Sequence, residues 1–200
     1  ITDLCRSLLP TRRNTPAVGK AVDDDAQARL FTVGFRNGRS HYVGAIARVV
    51  DKKAQEGTEI DVAFPVASHV YDVRKQAYVG HAKTARCTIL PGDAALYALF
   101  PYRVTGIGLT VPKTAARGRS LPYELSVQTD GGAPDGHVLI VEVLGPDGAP
   151  RDHYGSQLVA PGGKATATIP LALNDPPGIW TMRATDRATG TVATATFTVN

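Results

Sequence analysis

Short apolar runs of strand length recur along this chain, alternating in places with the two-residue period of half-buried β-strands, and turn residues cut them at short intervals. Leu30, Phe31, Val33 and Phe35 lead into Arg36-Asn37-Gly38, and Tyr42, Val43, Gly44, Ala45 and Ile46 follow. Asn-Gly between two such runs predicts a hairpin, because both residues tolerate positive φ. Ile60–Phe64 and Val70–Val73 read as a second strand pair. Tyr78-Val79, Ala85–Leu90 and Leu96–Tyr102 complete the first half. Pro91-Gly92-Asp93 is a turn, since proline presets φ and glycine accepts a positive one.

The second half is richer in such punctuation. Strands are expected over Ile107–Val111, Leu121–Gln128, Val138–Leu144, His153–Val159, Ala165–Leu173, Gly178–Asp186 and Thr191–Val199. Gly145-Pro146-Asp147-Gly148, Pro161-Gly162-Gly163 and Asp175-Pro176-Pro177-Gly178 lie between them. Seven short strands at this spacing predict an immunoglobulin-like sandwich. After the Pro176-Pro177-Gly178 turn, alternation sends Trp180, Met182 and Ala184 inward and Thr181, Arg183 and Thr185 toward water.

The expected fold is therefore all-β: two consecutive antiparallel β-sandwich domains, over 28–105 and 106–200, with Thr105-Gly106 at the boundary. Residues 1–27 read differently. Leu4, Leu8 and Leu9 have helical spacing, with Thr2 or Asp3 as cap and Pro10 as stop. So short a helix needs something to pack on. It reads as the end of an upstream domain, and 10–27 as a connector or edge strand. The chain starts at Ile1 with no signal-peptide pattern, so an interior fragment of a larger protein is expected.

At 200 residues and 43% apolar composition, each half can bury a core. No run approaches the roughly 18 apolar residues of a membrane span. The net charge of +4 invites a nucleic-acid reading. The basic residues argue against it: Arg12, Arg13 and Lys20 run straight into Asp23, Asp24 and Asp25, with no interleaved aromatics to stack on bases. Cys5 and Cys87 belong to no metal-ligand spacing, and either a bridge or two thiols fits them.

Chemistry-bearing residues are scattered. His41, His69, His81, His137 and His153 form no HxH or HxxxH pair, and no metal or cofactor is implied. Glu56, Glu59, Glu124 and Glu142 are too few and too dispersed to present an acid–base pair, so no catalytic residue is assigned. No serine sits in a GxSxG elbow. Asp130, Asp135 and Asp147 lie in glycine-rich loops and are read as turn formers rather than calcium ligands.

Two segments carry a family resemblance. Val70-Tyr71-Asp72-Val73-Arg74, Tyr78-Val79-Gly80 and Leu90-Pro91-Gly92-Asp93-Ala94-Ala95-Leu96-Tyr97 resemble a C-terminal β-sandwich of bacterial β-galactosidase-like glycoside hydrolases, over about residues 28–102. Pro177-Gly178-Ile179-Trp180-Thr181 to Gly190 resembles a macroglobulin- or fibronectin-type domain. The first resemblance implies a secreted or cell-surface bacterial protein. In it, this chain is a non-catalytic accessory region whose partner is an upstream catalytic domain of the same polypeptide, with carbohydrate as a further partner. Tyr42, Tyr71 and Tyr78 are then the candidate sugar-stacking rings. A cell-surface or adhesion-type binding protein built of sandwich modules is the alternative.

Overall fold

The computed structural model describes residues 19–21, 30–47 and 57–200. About two-thirds of them are in strands, with antiparallel pairing throughout the main sheets, and the chain divides into two compact units, Ile1–Pro101 and Tyr102–Asn200. The expected helix over 2–9 lies outside the described residues.

In the first unit, β1 (Gly19–Ala21), β2 (Leu30–Asn37), β3 (Ser40–Ala47), β4 (Thr58–Asp72), β5 (Ala77–Ile89) and β6 (Ala94–Phe100) form one sheet. Its order is β1-β4-β6-β3-β2, with β5 on the other side of β4. The β2–β3 hairpin forms where Asn-Gly predicts it, but the turn sits one residue later. Asn37 pairs with Ser40, and Gly38, at φ 61°, takes the first turn position ahead of Arg39. A glycine with positive φ in that place is the mark of a II′ turn.

The expected pairing of Ile60–Phe64 with Val70–Val73 is not formed. Both segments belong to β4, a single 15-residue strand, and both pair with β5. Between Ala63↔Thr84 and Ser68↔Ala82, residues 64–67 of β4 stand opposite Lys83 alone. This irregularity, built around Pro65, bends the long hairpin without ending it. The two halves of the bent sheet close on one core. It joins Val43 and Ala45, Ile60, Val62 and Phe64, Ala85 and Ile89, and Ala95, Tyr97 and Leu99. Phe64 meets Tyr97 edge-on at 5.6 Å.

The second unit contains two sheets. One has the order β11-β10-β13-β14-β8 and the other β12-β9-β7. The strands are β7 (Arg103–Thr110), β8 (Thr114–Ala115), β9 (Ser120–Asp130), β10 (His137–Leu144), β11 (Ser156–Ala160), β12 (Lys164–Pro170), β13 (Gly178–Asp186) and β14 (Val192–Val199). Expected and observed strands agree closely except at His153–Gly155, where a 3-10 turn (Asp152–Tyr154) precedes β11, and β8 is added as a short parallel partner of β14. Alternation is strict where it matters. Leu121, Tyr123, Leu125 and Val127 of β9 are buried, as are Leu139, Val141 and Val143 of β10. Trp180, Met182 and Ala184 are fully buried on β13, while Arg183 is exposed. Trp180 packs beside Phe197 (6.2 Å) and Tyr154 (6.0 Å), and its Nε1–H donates to the Pro176 carbonyl at 3.0 Å. Turn, strand and core aromatic are thereby tied together.

Candidate functional site

The three candidate tyrosines come from three strands of the first unit, and ring contacts join them. Tyr42 on β3 meets Phe100 edge-on at 6.1 Å, Phe100 lies 5.6 Å from Tyr71, and Tyr71 lies 5.0 Å from Tyr78. Their exposures differ. Tyr78 keeps 40% of its surface and Tyr42 is half-buried, but Tyr71 keeps only 3%. Tyr71 is therefore not an exposed platform. It sits on β4 between β5 and β6, opposite Tyr78 and Ala98, and its ring is packed against Tyr78 and Phe100.

The same face brings two histidines together. His69 is directly opposite His81 across β4 and β5, with ring centroids 4.9 Å apart. His69 Nδ1 is hydrogen-bonded to the Tyr78 hydroxyl at 2.9 Å, and the two rings stack at 27°. Tyr78 and His81 are three residues apart, so a regular strand would put them on opposite faces. The register slip between Val70↔Gly80 and Tyr71↔Tyr78 places Val79 as an extra residue and restores them to one side.

The motif segments Tyr71-Asp72 and Pro91-Gly92-Asp93 converge in a different place, at the turn end of the hairpin. Asp72, 7% exposed, accepts the backbone N–H groups of Arg74 (3.1 Å) and Lys75 (3.0 Å) on Oδ1, and Lys75 Nζ stands 3.6 Å from Oδ2. The Arg74 guanidinium donates to the Asp93 carboxylate and to the Ala94 carbonyl. Asp93 also accepts the Ala94 N–H at 2.8 Å, and Gly92 (φ 82°) closes the turn through Asp93 N–H to the Leu90 carbonyl. The Arg74 bond, then the Ala94 N–H, holds the Asp93 carboxyl below its ordinary value. Arg74 thus staples one turn to the next. Beside this staple lies a cleft of about 270 Å³ that the half-buried Cys87 also lines. Burial, then the Cys87 thiol, pushes the Tyr97 hydroxyl up. Cys5 lies outside the described residues.

In the second unit, one polar cluster is fully enclosed. The Tyr102 hydroxyl accepts the Asp135 N–H at 2.8 Å and is bonded to His137 Nε2 at 3.0 Å. His137 Nδ1 stands 3.1 and 3.2 Å from the two Asp186 oxygens, and Thr189 Oγ1 donates to Asp186 at 2.6 Å. The side chains of His137 and Asp186 are both 0% exposed. A buried carboxylate satisfied in this way serves structure, because no reactant reaches it. Nothing in the sequence marked the pair, since its members are 49 residues apart.

The remaining acidic residues are spoken for or lie on the surface. Asp61 is bidentate to Arg86 at 2.8 Å, Glu142 is held by Arg183 at 2.9 Å, and Asp175 accepts the Tyr154 hydroxyl at 2.6 Å. Asp147 accepts Ala149 N–H (3.1 Å) and Arg151 (2.9 Å), a turn former as expected. Glu59 and Glu124 are exposed on separate units, and Glu56 lies outside the described residues. Among the described residues, no three His, Cys, Asp or Glu side chains gather as a metal site, and no helix is long and apolar enough to cross a membrane.

No protein-family model matches the chain, and no curated protein is similar to it in sequence. Solved structures match in part. A superoxide reductase (neelaredoxin) from Ignicoccus hospitalis gives a TM-score of 0.35 at 14% identity, over 48% of this chain and 82% of that one. A β-glucosidase from Listeria innocua in complex with isofagomine gives 0.34 at 15%, over 56% of this chain but 18% of the enzyme. A β-glucuronidase from Bacteroides uniformis gives 0.29 at 10%, over 81% of this chain and 26% of the enzyme. This chain therefore spans about a quarter or less of those two glycosidases. Scores this low carry no argument about family or activity.

Proposed function

We propose that this chain is a non-catalytic accessory region of a larger, secreted or surface-exposed bacterial carbohydrate-active enzyme, supporting its catalytic domain or binding carbohydrate. The observation that carries this reading is the state of the acidic groups. Glycoside hydrolysis needs two carboxyl groups facing each other across the scissile bond. Here Asp61, Asp93, Asp147 and Glu142 are each engaged by an arginine, and Asp175 and Asp186 are locked in internal networks. The Asp72–Arg74–Asp93 staple gives the motif residues a scaffolding role, in keeping with the resemblance they carry. The second unit fits the same role. Its strands β10, β13 and β14 share one sheet and β9 and β12 the other, an arrangement that supports reading it as an immunoglobulin-like module.

Incubating the purified chain with aryl β-galactosides and β-glucosides tests the proposal. The expected result is no turnover. Hydrolysis that disappears in Glu124→Gln or Glu142→Gln would overturn it. The adhesion-type reading predicts the same silence, and the coding sequence upstream of Ile1 separates the two: a barrel domain with paired carboxylates supports the accessory role, further sandwiches the other.

A further inference from the structure

We infer that His69 and His81 form a two-imidazole site for a borderline divalent cation, zinc or copper(II), which braces β4 against β5. This goes beyond the accessory reading and stands independently of it. The β4–β5 register sets the two histidines directly opposite each other, so both rings leave the sheet on the same side. Their centroids are 4.9 Å apart and their planes are tilted by 59°. A tetrahedral zinc ion takes imidazole nitrogen at about 2.0–2.1 Å, which sets two rings on one ion with centroids about 5 Å apart. The spacing of the pair therefore matches that of two ligands sharing an ion, and side-chain rotation alone turns the nitrogens toward it.

Tyr78 supplies the orienting contact. Its hydroxyl is 2.9 Å from His69 Nδ1. In the tautomer that ligates, Nδ1–H donates to that oxygen and the lone pair lies on Nε2. Metal-bound histidines hold their second nitrogen in such a bond, which fixes the ring and raises its basicity. All three side chains share one face, since Tyr78 stands opposite Tyr71, two residues along β4 from His69. Among the described strands β5 pairs with β4 alone, and His81 is exposed, so the ion and the waters that complete its shell enter from solvent. No carboxylate joins the pair among the described residues. Two nitrogen ligands without one favour zinc or copper(II) over magnesium and calcium, which take oxygen.

The position of the pair gives the ion its role. His69 and His81 form the middle rung of a short stretch, Ser68↔Ala82 to Val70↔Gly80, with a register irregularity at either end. An ion held by one ligand from each strand closes the hairpin where its ladder is interrupted. Folding brings the two ligands together, so the ion binds the folded first unit in preference to the unfolded chain and stabilises it by mass action.

Titrating the intact chain with zinc chloride, followed through the histidine ring resonances and by calorimetry, tests this. The His69 and His81 signals should move together and saturate as a single event, and the first unit's melting temperature should rise. Magnesium chloride should do neither. His81→Asn, at an exposed position, should abolish both effects. Tyr78→Phe, which keeps the ring and removes the hydroxyl, should weaken zinc about tenfold. His153→Ala, an exposed histidine of the second unit, should change nothing. A zinc response that survives His81→Asn, one centred on His153, or no movement of the His69 and His81 signals would each overturn the site.

Discussion

The two units solve the same problem differently. The second buries its apolar face by setting one sheet against another, with short strands and a turn at each reversal. The first does so by folding a single sheet over itself, using strands of 15 and 13 residues that bend instead of stopping. Turn residues mark the reversals of the second unit, with Pro122 alone carried inside β9, whereas Pro65 and the Val79 bulge reshape the long strands of the first. The breaker residues have the same identity in both. Their effect depends on whether hydrogen bonding resumes on the far side.

The comparison breaks most decisively at Trp180. Trp180→Ala should cost about 3–5 kcal/mol, since an enclosed ring and its bond to Pro176 are lost together. Calorimetry should show the second unit's transition lost and the first unit's retained. A near-native melt would remove Trp180 from the core. Next comes Asp186→Ala, which removes the carboxylate facing His137 Nδ1 and accepting from Thr189 in the interior; about 3 kcal/mol is expected by chemical denaturation. By the same method, Gly92→Ala, which forces a side chain onto φ 82°, should lower the first unit's stability by about 1–2 kcal/mol.

The smallest effect expected is one of pH. Burial, and then Arg36, lowers the pKa of His41 from 6.5, and its Nδ1 has no hydrogen-bond partner among the described residues. The unfolded chain thus takes up this proton first as the pH falls. Stability is whole above 6.5 and is lost as pH drops from there toward the lower folded value. His41→Gln should flatten that part of the first unit's melting-temperature profile, and an unchanged slope would place the titration elsewhere.

Much of the fold was legible because burial imposes a period of two. The inward set Trp180, Met182 and Ala184 follows from alternation and one turn, and β13 begins and ends at the expected residues. What could not be read depends on register. Four residues of β4 opposite Lys83, or one extra at Val79, move side chains between faces without any compositional trace. The candidacy of Tyr71 as a stacking ring fails for the same reason: β5 and β6 flank its strand, and the ring is buried. The Asp72–Arg74–Asp93 staple was half visible, as two motifs whose meeting only the fold supplies.

The short strand β8 has a mechanical consequence. It runs parallel to β14, with Thr198 N–H on the Lys113 carbonyl (2.9 Å), Asn200 N–H on that of Ala115 (3.0 Å) and Arg117 N–H on that of Asn200 (3.3 Å). Tension entering through Tyr102 at one end and Asn200 at the other pulls these two strands in opposite directions along their length. The bonds between them are then loaded together, in shear, and must fail as a group. An antiparallel pair tugged from its open end would instead unzip one rung at a time. Ala115→Pro, which removes nothing from the core, would lower the force at which the pair yields.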